Sequence, residues 1–222
     1  MAKRLDILYE DNHLIAVNKA AGDLVQGDKT GDLPLPDHIK VYLKEKFNKP
    51  GNVFCGVIHR LDRPTTGVVL FARTSKGLER MNAAFKNRTT SKKYWALVEG
   101  KLASEGTLEH YLKKNPKTNK AVAFKREETG AKHAKLSYSI LKAGDRYTLV
   151  EVDLHTGRHH QIRAQFAAIG HPIKGDVKYG ARRGEKDKSI CLHAQSLSFN
   201  HPTTKEAIQI TASPPETFLP FL

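Results

Sequence analysis

The chain has 222 residues, with 37 Lys and Arg against 23 Asp and Glu, so its formal charge at neutral pH is +14. That length can bury a sizeable core. No apolar run reaches the roughly 18 residues of a membrane-spanning helix, and Asp6, Glu10 and Asp11 break up the N-terminal MAKRLDILYEDNH before a signal-peptide stretch can form. A membrane protein is excluded on this reading, and a cytoplasmic location is expected. The charge surplus favours polyanionic partners, nucleic acid first among them, and composition alone leaves a merely soluble basic protein as the alternative.

Taken in order, Leu5 to Lys19 reads as a hairpin, LDILYE and HLIAVNK, turning at Asp11-Asn12. Gly27 to Leu33 is a polar loop. Pro36 and Asp37 open a helix to about Phe47, with Ile39, Leu43 and Phe47 stacked at i, i+4 and i+8. Val68 to Ala72 is a continuous apolar run of the length of a buried strand. Ser75 is positioned to cap a helix to about Asn87, whose Leu78, Met81 and Phe85 share one core-facing stripe. Lys92 to Gly100 reads as a strand, with Tyr94, Ala96 and Val98 on one face. Lys113 to Lys135 is the most basic segment, patterned as hairpins with a projecting loop. His133 to Leu141 and Arg146 to Leu154 alternate as paired strands. A helix follows from about His160 to Ile169, then an irregular loop over His171 to Lys188. Strands at Ile190 to Phe199 and Ala207 to Ala212 close the chain. Strands outnumber helices and most connections are hairpin-like, which predicts an α+β fold: one domain spanning 1–222, with a large, mostly antiparallel mixed sheet flanked by helices and loops.

Two stretches carry the chemistry. VIHRLDRPTTGVVLFART, Val57 to Thr74, packs His59, Arg60, Asp62 and Arg63 just before a turn and the buried strand. A carboxylate among cations on a scaffolded loop suits a catalytic group, or else a surface turn whose Asp caps local backbone. LHTGRHHQIRAQFAAIGHPIKGDVKYG, Leu154 to Gly180, crowds Arg158, His159, His160, Gln161 and Arg163 at a helix start, where an anion could be held. His155 and His159 lack the helical setting and the carboxylate of HExxH, so no metal is expected. GxxxxGKS, GxGxxG and GxSxG patterns are absent, which argues against a nucleotide cofactor and a serine nucleophile. Cys55 and Cys191 form no CxxC and sit in apolar surroundings, where buried structural thiols are expected.

HRLDRPTTG at 59–67, KKYWALVEG at 92–100 and the 154–180 stretch together resemble the signature segments of the RluA-like family of RNA pseudouridine synthases. NKAAG at 18–22 and LHAQSLSFNHPTTKE at 192–206 are weaker marks of the same resemblance. Ala20, Thr66 and His159 depart from residues common in the family, none of them at a reacting group. The resemblance implies the pseudouridine synthase fold, and an isomerase that breaks the bond between uracil and ribose, turns the base and rejoins it through a ring carbon. It implies no cofactor. It implies Asp62 as the catalytic aspartate, Tyr94 as the tyrosine against the flipped uracil and Arg163 as the arginine paired with the aspartate. By the same resemblance Arg60 replaces the flipped base in the RNA stack, with His59, Arg158 and Gln161 as further RNA-side candidates. A guanidinium beside a carboxylate favours its ionised form and holds its orientation.

Two other functions compete: an RNA-binding protein without turnover, and a glycosidase. Hydrolysis of a glycoside ordinarily uses two placed carboxylates, and only Asp62 stands out as one. Because the hairpin begins at Leu5, no separate N-terminal RNA-binding domain is expected. Recognition of tRNA, large-subunit ribosomal RNA or both would then fall to loops such as Lys113 to Lys135 and Arg182 to Lys188, in a chain expected to be monomeric.

Overall fold

The computed structural model describes residues 3–28 and 30–222. In chain order its elements are β1 (Ile7–Glu10), β2 (Leu14–Lys19), α1 (Leu35–Lys46), β3 (Gly56–Val57), β4 (Thr66–Ala72), α2 (Ser75–Lys86), β5 (Ser91–Glu99), β6 (Gly106–Asn115), β7 (Lys120–Phe124), β8 (Lys132–Ala143), β9 (Tyr147–Leu154), α3 (Gln161–Ala168), β10 (Leu192–Asn200) and β11 (Ala207–Thr211). Short 3-10 turns lie at Val177–Tyr179 and Glu216–Phe221. The fold is α+β, as expected. None of the described helices is long and apolar enough to cross a membrane. The chain divides into two compact units: residues 3–90 with Ala194–Ser213, and Ser91–His193 with Pro214–Leu222.

In the first unit the strands run β1-β2-β4-β10, β10 counting from Ala194, with β3 added to β4 and β11 to β10. The β1–β2 turn forms where Asp11-Asn12 predicts it. The Asp11 carboxylate accepts the amides of His13 at 2.7 Å and Leu14 at 2.6 Å, closing an Asx-type turn. All seven residues of β4 are buried, as its unbroken apolar run requires. Leu14, Ala16, Val68, Leu70, Met81, Leu197 and Phe199 form the core, and Leu78 and Phe85 of α2 pack against it, so the predicted α2 stripe is the one that faces inward. Gly67 enters β4 at φ +111°, and a Cβ there would lie 2.3 Å from the carbonyl oxygen of Ala194. Only glycine allows that approach and that backbone.

Two sequence expectations need correction in this unit. Ile39 and Leu43 of α1 are buried, but Phe47 is 45 % exposed at the helix end, with the Arg73 guanidinium 4.9 Å from its ring centre. The stripe runs past the last turn that has anything to pack on. Thr74, not Ser75, caps α2: its backbone is extended (φ −137°), and its hydroxyl accepts the Gly77 amide at 3.0 Å. Ser75 is the first helical residue. Thr74→Ala is therefore expected to cost about 1 kcal/mol and Ser75→Ala close to nothing, a difference that urea unfolding of the two variants reads directly.

In the second unit β5-β9-β8-β6-β7 form a fully antiparallel run. The pairing of His133–Leu141 with Arg146–Leu154 is as the alternation predicts. Helix α3 packs on β6 and β7. Ala164 of α3 meets Leu112, Ala121 and Ala134, and the alanines let the helix lie close to the strands. The helix begins at Gln161, so Arg158, His159 and His160 precede it rather than occupy its first turns. His160 holds left-handed backbone (φ 51°) at the N-cap.

The cysteines divide. Cys191 is buried, but Cys55 is only partly so. Desolvation pushes the Cys55 thiol up to about 12 and the Cys191 thiol up to about 11, so both stay protonated and unreactive at neutral pH.

Candidate active site

In the first unit the candidate residues lie on the loop between β3 and β4. Asp62 is half-buried at its bend, and its carbonyl accepts the Thr65 amide at 3.0 Å. What holds this bend is Lys19, the last residue of β2, which is 1 % exposed. Its ammonium donates to the carbonyls of Ala20 at 3.0 Å, Arg63 at 2.9 Å and Thr65 at 2.7 Å. Three donors thus meet three acceptors, two of them on either side of Pro64. The Gly22 amide adds a further bond to the Arg63 carbonyl at 2.9 Å. Burial pushes Lys19 down to about 8, against the opposing pull of the Asp23 and Asp62 carboxylates.

Around Asp62, the His59 Nε2 accepts the Leu70 amide at 3.1 Å, and the imidazole stacks on Phe85 with centres 5.0 Å apart. The acceptor nitrogen carries no proton, so the neutral ring is the Nδ1–H tautomer. His59 therefore ties the loop to β4 and α2. Arg60 is exposed and its Nη1 donates to Gln26 at 2.8 Å, while Arg63 Nη2 donates to Asp32 at 2.5 Å. Both cations flanking Asp62 engage the polar loop after β2.

In the second unit the candidate residues lie on β5, around the start of α3 and on the loop beyond it. Tyr94 is buried on β5 opposite Val152 of β9. Gln161 is buried and works within the unit: its Oε1 accepts the Thr156 hydroxyl at 2.7 Å and the Arg158 amide at 3.0 Å, and its Nε2 donates to the Lys135 carbonyl at 3.1 Å. Arg158 Nε donates to the His133 carbonyl at 2.8 Å. These two fasten the turn that leads into α3.

Arg163 is buried on α3, and Asp176 takes one edge of its guanidinium, Nε to Oδ2 at 2.7 Å and Nη2 to Oδ1 at 2.8 Å. The Tyr179 ring lies against the same group, 5.0 Å from Cζ. The Tyr179 hydroxyl accepts the Ala121 amide at 2.6 Å and lies 2.8 Å from His160 Nδ1.

So His59, Arg60 and Asp62 share one loop of the first unit. Tyr94, Arg158, Gln161 and Arg163 belong to the second. Lys19, Asp176 and Tyr179 are absent from the sequence-derived set. Lys19 had a signal, a lysine closing the apolar run LIAVNK; for Asp176 the signal lay only at its partner, since Arg163 between Ile162 and Ala164 needs a counter-charge if the helix is buried.

A family model described as RNA pseudouridylate synthase matches residues 13–168. Among relatives, a tRNA pseudouridine synthase C of Haemophilus ducreyi is 39 % identical, the match covering 94 % of this chain and 90 % of that protein. A ribosomal large subunit pseudouridine synthase C of Vibrio parahaemolyticus is 30 % identical over 93 % of this chain and 64 % of its own length. The solved structure of human RNA pseudouridylate synthase domain containing 4 superposes with a TM-score of 0.80 at 25 % identity, covering 96 % of this chain and 90 % of that one. Sequence match and backbone agree over nearly the whole length, and the chain belongs to the RNA pseudouridylate synthase family, the RluA-like isomerases its motifs resemble.

Proposed function

We propose that this protein converts uridine to pseudouridine in tRNA or large-subunit ribosomal RNA, with Asp62 acting at the ribose. The observation that carries the reading is the held bend: a half-buried carboxylate on a loop whose backbone is fixed by a buried ammonium. A fixed carboxylate suits a reaction at the anomeric carbon, because positioning supplies much of the rate. The bond from C1′ to N1 of uracil breaks and one from C1′ to C5 forms. C5 loses its proton and N1 ends with one, so atoms balance without water, redox change or cofactor. Asp62 serves as nucleophile at C1′ or as the base that stabilises and deprotonates the sugar.

In this reading Tyr94 packs against the extruded uracil and Arg163 holds the Asp62 carboxylate. Arg60 fills the place the base leaves, with His59 beside it. A stacked base hides its glycosidic bond, and extrusion costs least from a loop. Arg158 and Gln161 support the RNA side by holding the turn before α3. The relative named for tRNA is matched along more of its length than the one named for ribosomal RNA, which makes tRNA the first substrate to try. The reaction would take place in the cytoplasm, by a monomer.

The test is incubation of the purified protein with unmodified total tRNA and ribosomal RNA, followed by chemical labelling and primer extension. New pseudouridine supports the reading and names the site. Free uracil would move the assignment to a glycosidase, and binding without product to an RNA-binding protein.

The basic hairpin gives a second handle. Lys113, Lys114 and Lys117 are exposed along β6 and its turn to β7, with Lys125 just beyond β7. Replacing these four by Gln is expected to weaken RNA binding. The dependence of binding on log salt should flatten by about 0.7–0.9 for each RNA phosphate that these lysines neutralise in the wild type. An unchanged slope in a filter-binding titration would shift attention to the exposed Arg182 to Lys188 loop.

A further inference from the structure

The Arg163–Asp176 pair is more constrained than a counter-ion requires. A cation buried on α3 needs opposite charge nearby, and one monodentate contact would supply it. Here the carboxylate takes the whole side edge of the fork, through Nε and Nη2, in a bidentate pair in which both side chains are nearly fully buried. Tyr179 covers one face of the same plane, and its own hydroxyl is held by the Ala121 amide and by His160. A guanidinium has five N–H groups in a rigid plane. With one edge and one face fixed, the two hydrogens of Nη1 and the second of Nη2 have a set direction, away from Asp176. An arginine whose work is to grip another carboxylate needs that end aimed.

We propose that Asp176 is a positioning residue for the uridine isomerisation, acting through Arg163. The proposal rests on the reading above, in which Arg163 holds the Asp62 carboxylate, and it adds what aims Arg163 there. Tyr179 shares the task from the face of the guanidinium. The pair is electrically balanced, so Arg163 presents directed N–H donors rather than an uncompensated charge.

Asp176→Asn is a usable probe because the backbone at this position has bonds of its own. The Asp176 backbone is held separately, its amide to the Ile173 carbonyl at 2.9 Å and its carbonyl by the Tyr179 and Ala181 amides at 2.9 and 3.1 Å. The amide side chain matches the carboxylate in shape but cannot accept from both Nε and Nη2.

The experiment measures single-turnover isomerisation on the RNA that the wild type modifies, for Asp176→Asn, Arg163→Lys and the double variant. RNA affinity and thermal midpoints are measured beside it. Asp176→Asn is expected to slow the reaction by about 10- to 100-fold, with affinity within about threefold. The acidic limb of its rate–pH profile should move to higher pH as Arg163 swings away from Asp62. The double variant should be no slower than Arg163→Lys alone, because residues acting through one another are non-additive. Tyr179→Phe keeps the ring and frees its hydroxyl anchor. It should give a smaller loss of rate that likewise vanishes in the Arg163→Lys background, and it carries the test if Asp176→Asn does not fold.

Losses that multiply in the double variant would overturn the proposal. So would an Asp176→Asn protein with lowered thermal midpoint but unchanged rate and pH limb, which would leave Asp176 a counter-ion for stability. An unchanged rate in Arg163→Lys would instead remove the role of Arg163 on which the proposal stands, and no product from the wild type on any RNA would remove the parent reading.

Discussion

Asp62→Asn is expected to lower the rate of pseudouridine formation by roughly 10⁴-fold or more, while RNA affinity stays within about threefold. The substitution is nearly isosteric. The backbone bond that shapes the bend, from the Thr65 amide to the Asp62 carbonyl, does not involve the side chain, and neither do the Lys19 bonds to Arg63 and Thr65. The loop should therefore keep its form and the protein its stability. What is lost is the carboxylate's charge and basicity. A neutral amide neither attacks the anomeric carbon nor takes a proton from the sugar, so both forms of the proposed mechanism fail together. Single-turnover assays with the enzyme in excess separate this from a binding defect, and mass spectrometry of the variant guards against deamidation back to aspartate. A variant retaining more than about a tenth of the wild-type rate would remove Asp62 from the chemistry.

The sequence disclosed what depends on near neighbours. The unbroken apolar run of β4 follows from its length, and the alternation of β8 and β9 and the Leu78, Met81 and Phe85 stripe from periods of two or about four residues; the structure has all of them. Errors fell at element ends. Phe47 continues the period of α1 but lies beyond the surface that buries it, and the choice between Thr74 and Ser75 turns on backbone angles that a string of letters does not contain. Asp62 stood out because cations and a turn crowd it locally. The groups that fix it and Arg163 did not. Lys19 bonds to carbonyls 44 and 46 residues away, and Asp176 lies 13 residues from Arg163 across an irregular loop. Such pairings exist only once the chain is folded, and a carbonyl acceptor has no identity in the sequence at all. Gln161 shows the same gap: as a letter it is a polar residue near a helix start, and in the fold its amide is spent on Thr156, Arg158 and Lys135.

Lys19→Met should produce two effects that can be measured apart. The first is on stability. The thioether fills much the same volume but donates nothing, so the Arg63, Thr65 and Ala20 carbonyls lose the ammonium that serves them. The Arg63 carbonyl keeps the Gly22 amide and Ala20 is exposed, so the Thr65 carbonyl is the acceptor left stranded in the interior. One stranded buried acceptor costs about 1–3 kcal/mol, and relief of the burial of a charge offsets part of this. A net loss of about 1–2 kcal/mol is expected, or roughly 2–8 °C in thermal midpoint. The second effect is on rate: with the Thr65 carbonyl released and the Arg63 carbonyl left to the Gly22 amide alone, the bend drifts, and a displacement of an ångström at Asp62 slows isomerisation by about 100-fold. Below its midpoint the variant should still bind RNA. The pH dependence isolates the ammonium itself. Lys19 sits at about 8 in the folded protein, against an ordinary value of 10.5. Between those two values the unfolded chain binds the additional proton, so the contribution of Lys19 to stability rises with pH across this window and is lost as pH falls through 8. Because Lys19→Met has no such group, the gap in unfolding free energy between wild type and variant should widen from pH 7 to pH 10.5, by about 3 kcal/mol at most. Other titrating groups are common to both proteins and cancel. A gap that stays constant across that range would show that burial does not lower Lys19, which would then keep its proton in the fold up to its ordinary value. A variant of normal rate would show that the Asp62 bend stands without it.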